Sequence, residues 1–506
     1  MTPQTFIPKG HATGCRKPGS VAFAYHSINE LMSLQVDELT YALHYLSPRY
    51  PVNKECVALL KKNTMRTYTY SQIAHIALPI LVSTLMEQLI GTTDTAFLGR
   101  VGDIELGASA IGGILFIVVF MLGLGFSIGA QILMARRNGE GNYQRIGVIF
   151  YHSIAFLLLL GVVLFVLVRA FSPHILQRII QSPRVCEAAT TYLHWRIIGM
   201  FFAFVNVMFR AFYVATTHTR TLTLNSVVMV LSNVCFNYVL IFGHFGVPAL
   251  GIAGAAIGSS MAEGVSTIFF IIHTRRHIPC SKYGLNRMPR LRLSLLSKIL
   301  NLSVWTMVQN FLSLSTWFIF FLSIEHLGED YLAATNIIRS ISSFTFMTVV
   351  AFASTAGTLV SNLMGQGEPD AVWPMLRRTM LMTAVALAPL LLIVAIFPDA
   401  VMSVFTTDMQ LIDLGRGALY VLLASYVFTL PAQILFNAVS ATGNTRMAFV
   451  IELCALAVYT TYVAVAIFNM RLSLPWCWAS EFVYSIIVTV LTFAYMRWYP
   501  WQNKKI

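Results

Sequence analysis

Twelve stretches of twenty or more mostly apolar residues, joined by short polar connectors, leave this chain few ways to fold. They lie near residues 73–97, 107–135, 146–168, 191–215, 221–243, 249–273, 296–324, 331–363, 377–398, 414–440, 446–468 and 474–497. About 20 such residues suffice for a helix to cross a hydrocarbon layer of about 30 Å. Composition closes the alternative. Only 11% of residues are charged and 57% are hydrophobic, with a mean hydropathy of +0.70, whereas a soluble domain carries about 25% charged residues. That is too little charge to cover a water-facing surface, so a soluble enzyme is excluded. The fold class is all-α integral membrane, with a lipid bilayer as solvent.

The formal charge of +13 has to be read by position. Counting the residues that border them, connectors after spans 2, 4, 6, 8 and 10 hold fourteen Lys and Arg, and those after odd-numbered spans hold six. The excess predicts both termini in the cytoplasm, and no nucleic acid is needed to account for it. Seven cysteines without a Cys-x-x-Cys pair suggest neither a disulfide framework nor a zinc site. Residues 1–64 are polar and mixed, with no apolar core of a signal peptide. We read them as a dispensable N-terminal extension, an upstream gene-start artefact or a disordered tail, with Met65 as the functional start.

An internal repeat organises the rest at a constant offset of 226 residues. Val101-Gly-Asp-Ile-Glu-Leu-Gly-Ala-Ser-Ala-Ile111 lies over Leu327-Gly-Glu-Asp-Tyr-Leu-Ala-Ala-Thr-Asn-Ile337. Gly139-Glu140-Gly141 lies over Gly365-Gln366-Gly367, and Ala215-Thr-Thr-His-Thr-Arg220 over Ala441-Thr-Gly-Asn-Thr-Arg446. These anchors are polar and glycine-containing, unlike apolar helices, which match one another cheaply. Six spans per repeat bring each half back to its starting side. The expectation is therefore two six-helix bundles related by a pseudo-two-fold axis along the membrane normal. The organisation is an N-terminal bundle at 65–273, a cytoplasmic linker at 274–295, a C-terminal bundle at 296–497 and a cytoplasmic tail at 498–506. No Gly-x-x-x-x-Gly-Lys-Ser/Thr phosphate loop occurs. No cofactor is implied, and transport would have to run on an ion gradient.

Three motifs then resemble a known family. Gly91-Thr-Thr-Asp94-Thr-Ala-Phe-Leu-Gly-Arg100-Val-Gly ends span 1, Asn233-Val-Cys-Phe-Asn237-Tyr-Val-Leu-Ile-Phe-Gly243 lies in span 5, and Gly251-Ile-Ala-Gly-Ala-Ala256 opens span 6. Together they resemble the multidrug and toxic compound extrusion family, and most closely its DinF-like bacterial branch. The resemblance covers about residues 70–497. It implies an antiporter in the bacterial cytoplasmic (inner) membrane that expels amphipathic or cationic compounds by alternating access while H⁺ or Na⁺ enters. It also implies that Asp94 centres ion coupling, with Asn233 and Ser259 at the family's polar positions in spans 5 and 6. Asn237 stands where the family often has aspartate, which removes one carboxylate and weakens a sodium site. A transported Na⁺ is the only metal expected.

The residues support part of this independently. A charge within hydrocarbon costs at least about 2.5–3.5 kcal/mol, so intramembrane acids are functional candidates. Glu87 and Asp94 are two turns apart on one face of span 1, where two acids in low dielectric repel. Asn233 and Asn237 share a face of span 5, for ion coupling or for ordinary interhelical hydrogen bonding. Ser259 suits the same site or plain small-residue packing. Glu452, Glu481 and Arg339 are candidates for substrate or secondary charge sites. Pro79 should kink the helix that carries Asp94. The phenylalanines and methionines suit a pliable cleft for small-molecule cations, and the expected unit is a monomer.

Competing functions fit less well. A flippase for a lipid-linked saccharide would need a strongly basic cleft, whereas most arginines here lie in connectors. A membrane transferase would need clustered ligands, but His152 and His194 are isolated. The orientation is testable with a Ser281→Cys variant in intact cells. An impermeant thiol reagent applied from outside should leave it unlabelled, and rapid labelling would reverse the topology.

Overall fold

Within a span, lipid offers the backbone no partner, so each apolar stretch must satisfy its amides along its own axis as a helix. The computed structural model describes residues 68–504. The expectations for residues 1–64 and for a start at Met65 lie outside the described residues. Twelve helices are long and apolar enough to cross a membrane. In the N-terminal half they are α1 (Tyr70–Leu98), α2 (Asp103–Gly139), α3 (Tyr143–Ile179), α4 (Pro183–Ala215), α5 (Arg220–Phe242) and α6 (Gly251–His277). The C-terminal half holds α7 (Leu293–Glu325), α8 (Glu329–Gln366), α9 (Pro369–Ile396), α10 (Met409–Ala441), α11 (Thr445–Asn469) and α12 (Leu474–Trp498).

Several helices outrun their apolar cores. The hydropathy pattern of the third span ends near 168, yet α3 continues through Arg169 and Pro173 to Ile179. Arg169 donates to the His194 carbonyl of α4 at 3.3 Å, which gives the charge a partner beyond the apolar run. At the start of α1, Thr69 and Gln72 exchange side-chain and backbone hydrogen bonds in a capping box.

The repeat is structural. α2 and α8 start at Asp103 and Glu329, and α4 and α10 span Pro183–Ala215 and Met409–Ala441, each pair offset by 226 residues. The halves form two bundles that meet where α2 packs on α7 and α8, and where α1 packs on α8. The symmetric centre of that contact is a crossing of α2 over α8. A side chain on Gly139 would overlap the Asn362 carbonyl, and one on Gly365 would overlap the Arg136 carbonyl. Adding 226 to 139 and 136 gives 365 and 362, so one contact is made twice about the axis. Arg136 donates to the Thr442 carbonyl past the end of α10 at 3.0 Å. Its repeat equivalent, Asn362, donates to the Ala215 carbonyl at the end of α4 at 3.3 Å.

More bonds join the halves on this side. Asn138 donates to Asn362 at 2.7 Å, Gln131 to Thr358 at 3.0 Å, and Thr306 to the Gly125 carbonyl at 2.7 Å. Arg378 at the start of α9 holds the Tyr68 carbonyl just ahead of α1 at 2.7 Å. All of these lie towards the side on which the described chain begins and ends, called here the terminal side. Connector 278–292 lies there too, docked on α3 by a bond from the Gly147 amide to the Tyr283 carbonyl and one from Gln144 to the Ser281 carbonyl. Towards the opposite side no hydrogen bond joins the halves among the described residues, and a side chain added at Gly107 or Gly113 of α2 would meet open space. Clasped at the terminal side by these bonds, the two bundles are free to part only away from it.

If the glycine crossing holds the gate, Gly139→Ala should destabilise the closed state by about 1–3 kcal/mol through overpacking. Gly113→Ala, which adds a methyl to open space on the same helix, should be neutral or gain about 0.5–1 kcal/mol. Thermal unfolding of the two variants in detergent measures the contrast.

Candidate ion-coupling site in the N-terminal half

Pro79 has no amide hydrogen, so the His75 carbonyl one turn earlier loses its helical partner. The Thr219 hydroxyl, at the start of α5, donates to that carbonyl at 3.4 Å. One turn on, Thr223 donates to the Pro79 carbonyl at 3.1 Å. Ser83 and Ser226 share a hydrogen bond at 2.7 Å, and Asn237 donates to Asp94 at 2.5 Å. The partners are 143 or 144 residues apart throughout, as expected for two helices running in parallel. A polar seam thus links the proline of α1 to its carboxylate, with α5 supplying every partner.

Asp94 is half-buried at the end of this seam. One carboxylate oxygen accepts from Asn237, and the other accepts from the Ser259 hydroxyl of α6 at 3.0 Å. Asn233 donates to Ser259 at 3.1 Å, and Asn237 also donates to the Asn233 side-chain oxygen at 3.3 Å. Both asparagines are fully buried. The approach of α6 depends on two glycines one turn apart. A side chain on Gly254 would meet the Leu240 carbonyl at 2.5 Å, and one on Gly258 would overlap the Asn237 side-chain oxygen. Small residues at such spacing let membrane helices touch backbone to backbone. Here the contact carries Ser259, the next residue, to the carboxylate. The structure therefore brings Asp94, Asn233, Asn237 and Ser259 together.

Glu87 is not part of this group. It accepts from Arg210 of α4 at 3.0 and 2.9 Å and from Ser83 at 3.4 Å. The expected repulsion between Glu87 and Asp94 fails for that reason: two turns separate them by about 10 Å along the axis, and a guanidinium neutralises one of them. A third acid, Glu263 of α6, receives a bidentate pair from Arg196 of α4 at 2.6 and 3.1 Å. Arg196 also lies 3.9 Å from the Phe116 ring centroid. A side chain on Gly199 would come within 2.7 Å of Glu263 and within 2.6 Å of Ser260, so this glycine sets how closely α4 and α6 pack beside the pair. Sequence reasoning missed Arg196, Arg210 and Glu263, although the cost of intramembrane charge that singled out Asp94 applies equally to them. Of the acids at 87, 94 and 263, only Asp94 lacks an arginine salt bridge. Its hydrogen bonds come from an amide and a hydroxyl.

The C-terminal candidates are arranged differently. Glu452 is buried and accepts from Ser313 at 2.6 Å and from Tyr484 at 3.1 and 3.0 Å. Glu481 is half-buried within electrostatic reach of Tyr426, Tyr459 and Tyr484. Arg339 is half-buried with its guanidinium 5.9 Å above the Phe321 ring. No group of three or more His, Cys, Asp or Glu that could hold a metal occurs among the described residues.

Comparison with known proteins identifies the family of the chain. The family model MatE matches residues 79–239 and 306–465, once in each half. A "Probable multidrug resistance protein NorM" from Thermotoga maritima is 24% identical over 445 residues, covering 86% of this chain and 94% of that protein. A "Probable multidrug resistance protein YoeA" from Bacillus subtilis is 22% identical, over 85% of this chain and 93% of its own length. Among solved structures, the eukaryotic MATE transporter AtDTX14 superposes with a TM-score of 0.76 at 19% identity, over 85% of this chain and 96% of that one. A MATE protein described in a straight conformation gives a TM-score of 0.77 at 15% identity, over 85% and 95%. Matched by the family model over both halves, with twelve spans in two bundles, the chain belongs to the MatE family of multidrug efflux transporters.

Proposed function

We propose that this protein exports amphipathic, cationic small molecules from a bacterial cytoplasm in exchange for H⁺ or Na⁺, and that the ion loads on Asp94. The observation that carries the reading is the contrast among three acids in one bundle. Glu87 and Glu263 are neutralised by arginines, while Asp94 is held by Asn237 and Ser259. A carboxylate already paired with a guanidinium has little call for a proton or a cation. One hydrogen-bonded only by neutral donors gains more from loading.

The neighbours suit both states of that carboxylate. An amide can present its N–H₂ to a carboxylate or, flipped, its oxygen to a carboxylic acid or a cation. Asn233 and Asn237 therefore need only side-chain rotation to follow the charge. The hydroxyls of Thr219, Thr223 and Ser226 give α1 alternative partners around Pro79, so the helix can bend without leaving carbonyls bare. In the open cleft, Asp94 takes up its ion from the outer side. Discharge requires the terminal-side crossing of α2 and α8 to part, and that side is assigned to the cytoplasm by the lysine and arginine count. Substrate then binds against the other wall, where Glu452 and Glu481 supply negative charge. An antiporter of this kind moves one bundle against the other, and ligands act by stabilising one arrangement over the other.

Dye efflux from inverted membrane vesicles, with a proton or a sodium gradient imposed separately, tests the reading. Asp94→Asn should reduce gradient-driven efflux to background while the protein stays folded in the membrane. Glu263→Gln is the contrasting case. It strands Arg196 without its partner and should cost about 3–5 kcal/mol of stability, seen as a lower Tm and reduced yield. Full coupled transport by Asp94→Asn would assign coupling elsewhere.

A further inference from the structure

We propose that the terminal-side face of the gate binds a phosphate-type oxyanion in a cavity of about 570 Å³ built around Arg136. Arg136 is only 4% exposed. One of its nitrogens reaches the Thr442 carbonyl at 3.0 Å, and its Nε is buried with no hydrogen-bond partner. The cavity beside it is bounded by Arg137 and Glu140 at the end of α2, Met364 near the end of α8, and residues 502–504 beyond α12. That last turn is fixed by Trp501, which is fully buried and donates from its indole to the Met496 carbonyl at 2.8 Å. Lys504 is thereby brought to the rim. Among the described residues, Arg136, Arg137 and Lys504 line the cavity together with one carboxylate, Glu140, which pairs with Arg137 at 2.6 Å.

The repeat shows that this charge exceeds what the gate requires. Asn362, the equivalent of Arg136, makes the corresponding bond to the other half with a neutral amide. It also donates to the Thr358 carbonyl at 3.0 Å and accepts from Asn138 at 2.7 Å. Closing the gate therefore needs a donor at this position but not a cation. A buried guanidinium with an unused N–H is costly unless an anion meets it. Phosphate oxygens match its fork of donors, with the lysine supplying a second positive charge. The volume lies within the range of small-ligand pockets. The chemistry is shared by a phospholipid headgroup and a soluble phosphate ester.

α2 belongs to one bundle, and α8 with the 502–504 turn to the other, so the complete site exists only while the terminal side is closed. A bound anion would stabilise that arrangement and hold the transporter with its cleft open to the opposite side. The consequence for transport rests on the antiport reading, whereas the binding does not.

The test uses the full chain in nanodiscs, with inorganic pyrophosphate as the soluble probe. In phosphatidylcholine discs, pyrophosphate should raise Tm saturably, and Lys504→Gln or Arg136→Gln should weaken that response by about ten-fold or more, as expected for a lost charge-assisted contact. Should Arg136→Gln fold poorly, Lys504→Gln decides alone, since it lies at the rim. Repeating the titration in discs containing phosphatidylglycerol separates the sources. A lower apparent pyrophosphate affinity there identifies the lipid headgroup as occupant, and an unchanged one identifies a soluble phosphate. No saturable stabilisation by pyrophosphate or by phosphatidylglycerol, or a response that survives in Lys504→Gln, would overturn the proposal.

Discussion

The rest of the architecture depends on the backbone-close crossing of α2 and α8 at Gly139 and Gly365. A methyl group at either position would overlap a carbonyl of the other helix. Because the two contacts are related by the repeat, closing one closes the other. The terminal side is therefore shut by a compact symmetric clasp set in an apolar core that runs through both halves. Within lipid, helices gain little by hiding apolar surface from one another, and close packing with interhelical hydrogen bonds takes over. The bonds of Arg136, Asn138 and Asn362 across this crossing follow that rule. The proposed antiport cycle requires that such a contact part and re-form as a unit.

A second consequence concerns asymmetry. The halves share helix register but not chemistry. Positions 94, 233 and 237 correspond to Phe320, Tyr459 and Val463, all buried in the C-terminal apolar core. Phe320 and Tyr459 pack with ring centroids 6.4 Å apart where the other half places a carboxylate near an asparagine. Ser485, at the position equivalent to Ser259, keeps its hydroxyl and bonds to Thr429 at 2.8 Å. Duplication preserved the packing frame, while the polar cluster survives in one copy. The C-terminal acids, Glu452 and Glu481, sit on other helices and have hydroxyls and tyrosine rings for neighbours. The glycine crossing, the candidate coupling cluster and the candidate substrate wall thus occupy different parts of one symmetric scaffold.

Much of this was legible in the linear pattern because it follows from local rules. Hydrocarbon thickness sets span length, so twelve apolar runs determine twelve helices. Helical spacing places Asn233 and Asn237 on one face, and the 226-residue repeat determines which helices correspond. The glycine anchors that revealed the repeat proved to lie at its symmetry axis, since only a residue without a side chain permits the crossing in either copy. The partners of charged groups were not legible. Arg196 meets Glu263 across 67 residues and Arg210 meets Glu87 across 123, separations set by how α4 lies against α6 and α1. The sequence by itself determined the helices, their duplication and the polar residues available to a site. Only the tertiary structure decided which acid lacks an arginine salt bridge and which side the two bundles are clasped on, because Coulomb energy and steric fit depend on distances between helices.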